Sequence, residues 1–89
     1  GVVEALERIA KAEEFLHGLG IAQLRVRHHD TVARVEVEPD DFATLTEPEN
    51  RDRIAAYFRS IGYSYVTLDL EGFRSGSLNE VLAKLRAKA

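Results

Sequence analysis

The sequence contains no cysteine, which excludes disulfides, thiolate metal sites and a cysteine nucleophile within these residues. It has no apolar run near the ~20 residues that span a bilayer, and no signal-peptide pattern leads it. Positive charge is scarce: twelve Lys+Arg against fifteen Asp+Glu leave a formal net charge of −3. A protein that coats DNA or RNA needs strong positive charge, so generic nucleic-acid binding is disfavoured. Absent too are a GxxxxGK[ST] phosphate loop, an SGGxDS loop and a GxSxG nucleophile motif. No internal repeat, low-complexity tract or linker interrupts the chain. The default setting for such a sequence is cytoplasmic.

What is present describes an ordinary globular domain. The 89 residues are 45% hydrophobic and 30% charged, which fits one small domain over residues 1–89. A domain of this size holds a thin margin, about 0.05–0.15 kcal/mol per residue. It has little room for an enclosed cleft, so a chemical site is expected on one open face, completed by another domain or subunit. The chain opens on Gly1-Val2-Val3-Glu4-Ala5-Leu6 with no starting Met and no helix cap. That opening reads as part of a longer chain.

Hydrophobic spacing predicts the elements. Val2, Leu6, Ile9, Leu16 and Leu19 recur near the helical period, predicting a helix from about Val2 to Leu16 that Gly18 and Gly20 stop. Alternation follows, with Leu24, Val26 and His28 opposed to Arg25, Arg27 and His29. After a turn at His29-Asp30-Thr31, Ala33, Val35 and Val37 oppose Val32, Arg34, Glu36 and Glu38. This reads as a hairpin with one buried and one polar face. Thr46 and Glu49 form a candidate capping box, with Pro48 in the first turn. Ile54, Ala55, Phe58 and Ile61 supply the stripe of a second helix that ends at Gly62. A third strand runs from Tyr65 to Leu70. A loop then leads to a second capping box, Ser77 and Glu80, opening a third helix through Leu85. The order α-β-β-α-β-α predicts an α/β (α+β) fold: a three-stranded mixed sheet with helices packed on one face.

The chemistry-bearing pattern is Arg25-Val26-Arg27 with Arg34 on the paired strand. Period two puts these guanidiniums on one side, joined by Thr67 and Asp69. Clustered guanidiniums repel unless anions or carboxylates lie between them, and their forked donors suit phosphate or carboxylate. The plainer alternative is a solvated face balanced by Glu36, Glu38 and Asp69. The loop Gly72-Phe73-Arg74-Ser75-Gly76-Ser77 could place Arg74 and free N–H groups toward an anion; its alternative is an ordinary capped loop. His28 and His29 face opposite ways and His17 lies elsewhere, so no histidine metal site is expected. Asp41 reads as a turn or cap residue, and Glu13 as a solvated helix residue.

Five stretches together carry a resemblance: Ala12-Glu13-Glu14-Phe15-Leu16, Leu19-Gly20, Leu24 to His29, Val32 to Glu36, and Ile61 to Glu80. In order and spacing they resemble the C-terminal domain of the ATP-dependent sacrificial sulfur transferases, pyrophosphatase-loop enzymes that mature the nickel-pincer cofactor of lactate racemase. The resemblance implies an N-terminal domain, outside this sequence, where Mg-ATP adenylylates a carboxylate of a pyridinium dicarboxylate mononucleotide. A protein cysteine, or in some members an iron–sulfur cluster, supplies the sulfur. This domain would itself hold no cofactor and no metal. Its partners would be the mononucleotide-type substrate, its own N-terminal domain and sister subunits. The resemblance matches Arg25, Arg27 and Arg74 to arginines that hold the substrate phosphate, Glu13 to a catalytic glutamate, and Asp41 to a site aspartate. The competing expectation is a non-catalytic interaction module that uses an exposed sheet face for oligomerisation.

Overall fold

The computed structural model describes residues 1–74 and 84–87. Helix α1 spans Val2–Gly18, strand β1 Leu24–His29 and strand β2 Val32–Val37. A single 3-10 turn, Pro39–Asp41, and helix α2, Phe42–Thr46, lead into helix α3, Pro48–Ser60, and strand β3, Tyr65–Leu68. The sheet order is β1-β2-β3, with β1 antiparallel and β3 parallel to the central β2. The mixed α/β architecture is the one the hydrophobic pattern predicts. Residues 84–87 are helical, and Leu85 among them is exposed. The predicted Ser77–Glu80 capping box lies outside the described residues.

The core lies on one face of the sheet. Leu24, Val26, Ala33, Val35 and Val37 pack there against Ala12 and Leu16 of α1 and Ile54 and Phe58 of α3. The two helices also meet through Phe15 and Tyr57, whose rings stack with centroids 4.4 Å apart. The strand alternation therefore resolves as read: apolar positions inward, arginines outward.

Three local expectations need correction. The Thr46–Glu49 capping box does not form. Thr46 ends α2, and its Oγ1 donates to the carbonyl of Phe42 at 2.9 Å. Glu47 occupies the N-cap of α3 without a side-chain bond. The cause is the short helix α2, which places Thr46 on a last turn instead of ahead of a first one. Helix α1 runs two residues beyond its predicted end, to Gly18; its cap is Leu19, and the left-handed residue is Gly20 at φ +93°. Strand β3 stops at Leu68, because Asp69 enters a turn closed by the Gly72 N–H donating to the Asp69 carbonyl at 3.0 Å.

The same turn positions Arg74. Gly72 sits at φ +87°, a conformation glycine adopts without penalty. The next residue, Phe73, donates its N–H to the carbonyl of Val37 at 2.8 Å. The chain is thereby pinned to the end of β2 just before Arg74.

Candidate anion-binding face

The outer face of the sheet carries Arg25 and Arg27 from β1 and Arg34 and Glu36 from β2. Register sets Arg25 opposite Glu36 and Arg27 opposite Arg34. Two like charges directly across a strand pair are unfavourable. The repulsion is relieved by Glu36, whose Oε2 accepts from Arg34 Nη1 at 2.8 Å and from Arg27 Nε at 3.4 Å. Asp69, just past β3, extends the chain of charges. Its Oδ2 accepts from Arg34 Nη1 at 2.6 Å and from Arg74 Nη2 at 3.2 Å. The result is a continuous ladder, Arg27–Glu36–Arg34–Asp69–Arg74, with Arg25 beside it.

The ladder grades from buried to open. Glu36 is only 3% exposed, yet it sits on the solvent side of the sheet, so its charge is acceptable only because cations flank it. The side chains of Arg27 and Arg74 are 41% and 38% exposed, and Arg25 is exposed outright. Two inner carboxylates are shared by the guanidiniums of Arg27, Arg34 and Arg74, with Arg25 exposed beside them; exposed Glu71, at 3.4 Å from Arg74, is a third carboxylate at the rim, which leaves one positive charge in excess. Two buried polar atoms find no partner among the described residues: Glu36 Oε1 and Arg74 Nε.

Asp69 stays ionised well below the usual range. The N–H of Glu71 donates to its Oδ1 at 2.9 Å, and this bond, then Arg34 and Arg74, hold its pKa down against the opposing effect of burial. A depressed carboxylate stabilises the fold above its ordinary value of 3.8. That contribution is lost as the pH falls through the lowered folded value. For Arg34, burial works against its charge, but the bonds to Glu36 and Asp69 outweigh it and raise its pKa.

Of the five residues singled out from sequence, the structure brings Arg25, Arg27 and Arg74 onto one face. It does not bring Glu13 or Asp41 there. Glu13 projects from α1 to the free side of β1, where its Oε2 accepts the N–H of Val26 at 3.0 Å. It is partly buried rather than solvated, a correction to the helix-pattern reading. Val26 lies between Arg25 and Arg27, so this bond fixes the backbone that carries both. Asp41 lies in the 3-10 turn after β2, and among the described residues no ion pair links it to the arginines. Thr67 is on the outer face, but its hydroxyl donates to the carbonyl of Ala33 at 3.3 Å. The start of the predicted helix after Arg74 lies outside the described residues.

The histidines separate as strand geometry requires. His29 is exposed, while His28 turns inward, its Nδ1 2.9 Å from the Tyr63 hydroxyl. His17 donates from Nδ1 to the carbonyl of Ile21 at 2.9 Å. Among the described residues no group of three or more His, Asp or Glu side chains could hold a metal ion. Tyr63 is a core residue, as an aromatic at that place suggests, 2% exposed; what the sequence does not show is that it lies under the Arg8 guanidinium, 5.3 Å from its ring centre.

Burial raises the pKa of Tyr63 above its ordinary value of 10.0, with Arg8 opposing and Glu13 reinforcing the shift. A raised acid keeps its proton in the fold after the unfolded chain has lost it. Its contribution is complete below pH 10 and drains away as the pH climbs through the folded value. Denaturation of the native protein at about pH 9 and about pH 11 should show this loss, and Tyr63→Phe should make the alkaline loss smaller. Equal alkaline losses in both proteins would refute it.

No helix among the described residues is long and apolar enough to cross a membrane. No family model matches the chain. It is 42% identical over 82 residues to an uncharacterised protein of Synechocystis, an alignment covering 92% of this chain and 31% of that one. It is 39% identical over 82 residues to the pyridinium-3,5-bisthiocarboxylic acid mononucleotide synthase of Lactiplantibacillus plantarum, covering 89% of this chain and 28% of the synthase. A third relative, an uncharacterised protein of Methanocaldococcus jannaschii, is 33% identical over 73 residues, 82% of this chain and 28% of its own length. The chain thus spans about three tenths of the length of the curated relatives it matches.

Proposed function

We propose that this chain, 39% identical to the pyridinium-3,5-bisthiocarboxylic acid mononucleotide synthase over 28% of that protein's length, belongs to its family as the C-terminal, substrate-phosphate-binding domain of an ATP-dependent sulfur transferase of nickel-pincer cofactor biosynthesis. The observation that carries the reading is the exposed Arg25–Arg27 pair on a face where guanidiniums outnumber carboxylates. A phosphate monoester near neutral pH carries close to two negative charges, with a second pKa of about 6. Paired guanidinium forks bind such a dianion without any proton transfer.

In this scheme Arg25, Arg27 and Arg74 hold the phosphate of a pyridinium dicarboxylate mononucleotide. Glu13 works through the backbone by fixing Val26 between the two strand arginines, and touches no reacting atom. Asp41, in the 3-10 turn after β2, is assigned no part in holding the phosphate. Adenylylation by Mg-ATP and the sulfur donor, cysteine or iron–sulfur cluster, belong to a pyrophosphatase-loop domain outside this sequence. Among the described residues the face is open, which suits a site finished by that domain or by a sister subunit in a cytoplasmic oligomer.

Phosphate titration followed by NMR tests the proposal. Inorganic phosphate and a nucleoside monophosphate should shift the Arg25 and Arg27 signals, and more strongly at pH 7.5 than below the phosphate pKa of about 6. Each of Arg25→Ala and Arg27→Ala should weaken binding by about tenfold or more, the worth of one charge-assisted hydrogen bond. Binding by neither the native protein nor the variants would leave the interaction-module reading, in which the same face only joins subunits.

A further inference from the structure

We infer that Arg34, which need not touch the ligand, is a positioning residue that leaves Arg27 and Arg74 available to pair with an anion by occupying their carboxylates. The inference rests on the phosphate-site reading above and adds to it a residue with a separate task. Arg34 stands at the middle of the ladder. Its Nη1 makes the two shortest contacts, 2.8 Å to Glu36 and 2.6 Å to Asp69. The contacts those carboxylates make outward are longer: 3.4 Å to Arg27 and 3.2–3.3 Å to Arg74.

The lengths describe a competition. A carboxylate oxygen drawn strongly to one guanidinium neutralises a second one less. Arg34 takes the larger share of both acids, so the two outer arginines are oriented by them without being neutralised. Glu36 retains a further acceptor, the buried and unpartnered Oε1. Without Arg34 both oxygens of Glu36 are free to turn onto Arg27, and Asp69 is free to close on Arg74. The outer guanidiniums would then become internal salt bridges, and an incoming phosphate would have to break them. Glu36 cannot escape into water instead, because it is almost fully buried.

The test uses the Nε–Hε signals of Arg27 and Arg74 in the protein without ligand, together with phosphate affinity. In Arg34→Gln those signals should move toward the carboxylate-bonded position while the backbone amide spectrum stays native. Phosphate affinity should fall about tenfold, the equivalent of one pKa unit of interaction energy. Arg34→Lys should recover part of the affinity, and adding Glu36→Gln to Arg34→Gln should recover the share lost at Arg27 by removing the acid that collapses onto it, while Asp69 still closes on Arg74. Unmoved Arg27 and Arg74 signals in Arg34→Gln would overturn the inference, and so would a loss of affinity that Glu36→Gln leaves uncorrected. If Arg34→Gln fails to fold, Arg34→Lys carries the test, since its single ammonium cannot hold both acids as tightly and the same signals must move part of the way. Should the native protein bind no phosphate at all, the functional proposal fails, while the Nε–Hε signals still decide the role of Arg34.

Discussion

Replacing Phe58 with alanine is expected to cost about 3–5 kcal/mol, the usual penalty for emptying a fully buried aromatic site. Phe58 has no exposed surface and packs against Tyr63 with ring centroids 6.0 Å apart. The core is a single thin layer between one sheet face and the helices, so few neighbours can move in to fill the space. A domain of this length holds a total of roughly 4–13 kcal/mol, and the variant should lose about a quarter of that or more. Urea unfolding would read the loss directly, and the midpoint of thermal unfolding should fall about 4–8 °C for each kcal/mol lost. A loss below about 1 kcal/mol would mean that the site collapses around the gap and that this layer is less tightly packed than the structure shows.

Gly72→Ala is expected to disturb both stability and the arginine cluster. At φ +87° a side chain is strained in itself, and a Cβ there would lie 2.9 Å from the carbonyl oxygen of Val37. That oxygen cannot move freely, because it accepts the N–H of Phe73. Strain of this kind costs about 1–3 kcal/mol, and the contact adds to it. Gly20→Ala separates the two contributions: Gly20 has a similar φ of +93° but nothing within 4 Å of its Cβ position. Gly72→Ala should therefore unfold at lower urea than Gly20→Ala. It should also weaken phosphate binding, since Arg74 is delivered to Asp69 by this turn. Equal losses in the two variants would mean that the Val37 contact carries no weight.

Much of the architecture is legible in the sequence, and the reasons differ by element. The hairpin is readable because alternation in β1 and β2 permits only one choice of inner face, and the inner residues are apolar except for His28. The grouping of Arg25, Arg27 and Arg34 follows from the same parity. The pairing of Asp69 with Arg74 is not readable: it depends on a turn whose geometry Gly72 sets, and nothing in a five-residue spacing encodes it. Helix α2 is hidden because Phe42–Thr46 is too short to show a period. The role of Glu13 is hidden as well, because its neighbours Ala12 and Glu14 give no hint that one carboxylate reaches a strand backbone. A helix residue bonding a strand N–H depends on tertiary placement, which local pattern does not carry.

The Glu13–Val26 bond has one more effect. β1 is an outer strand of the sheet, six residues long, and a strand in that position can template the addition of a foreign strand. Here its middle amide is already occupied, and by a charged group anchored on a helix. Another chain laying itself alongside would have to evict a carboxylate from its only described partner before the first rungs could form. The same contact that steadies the arginines is thus a safeguard against fibrillar stacking through that border of the sheet.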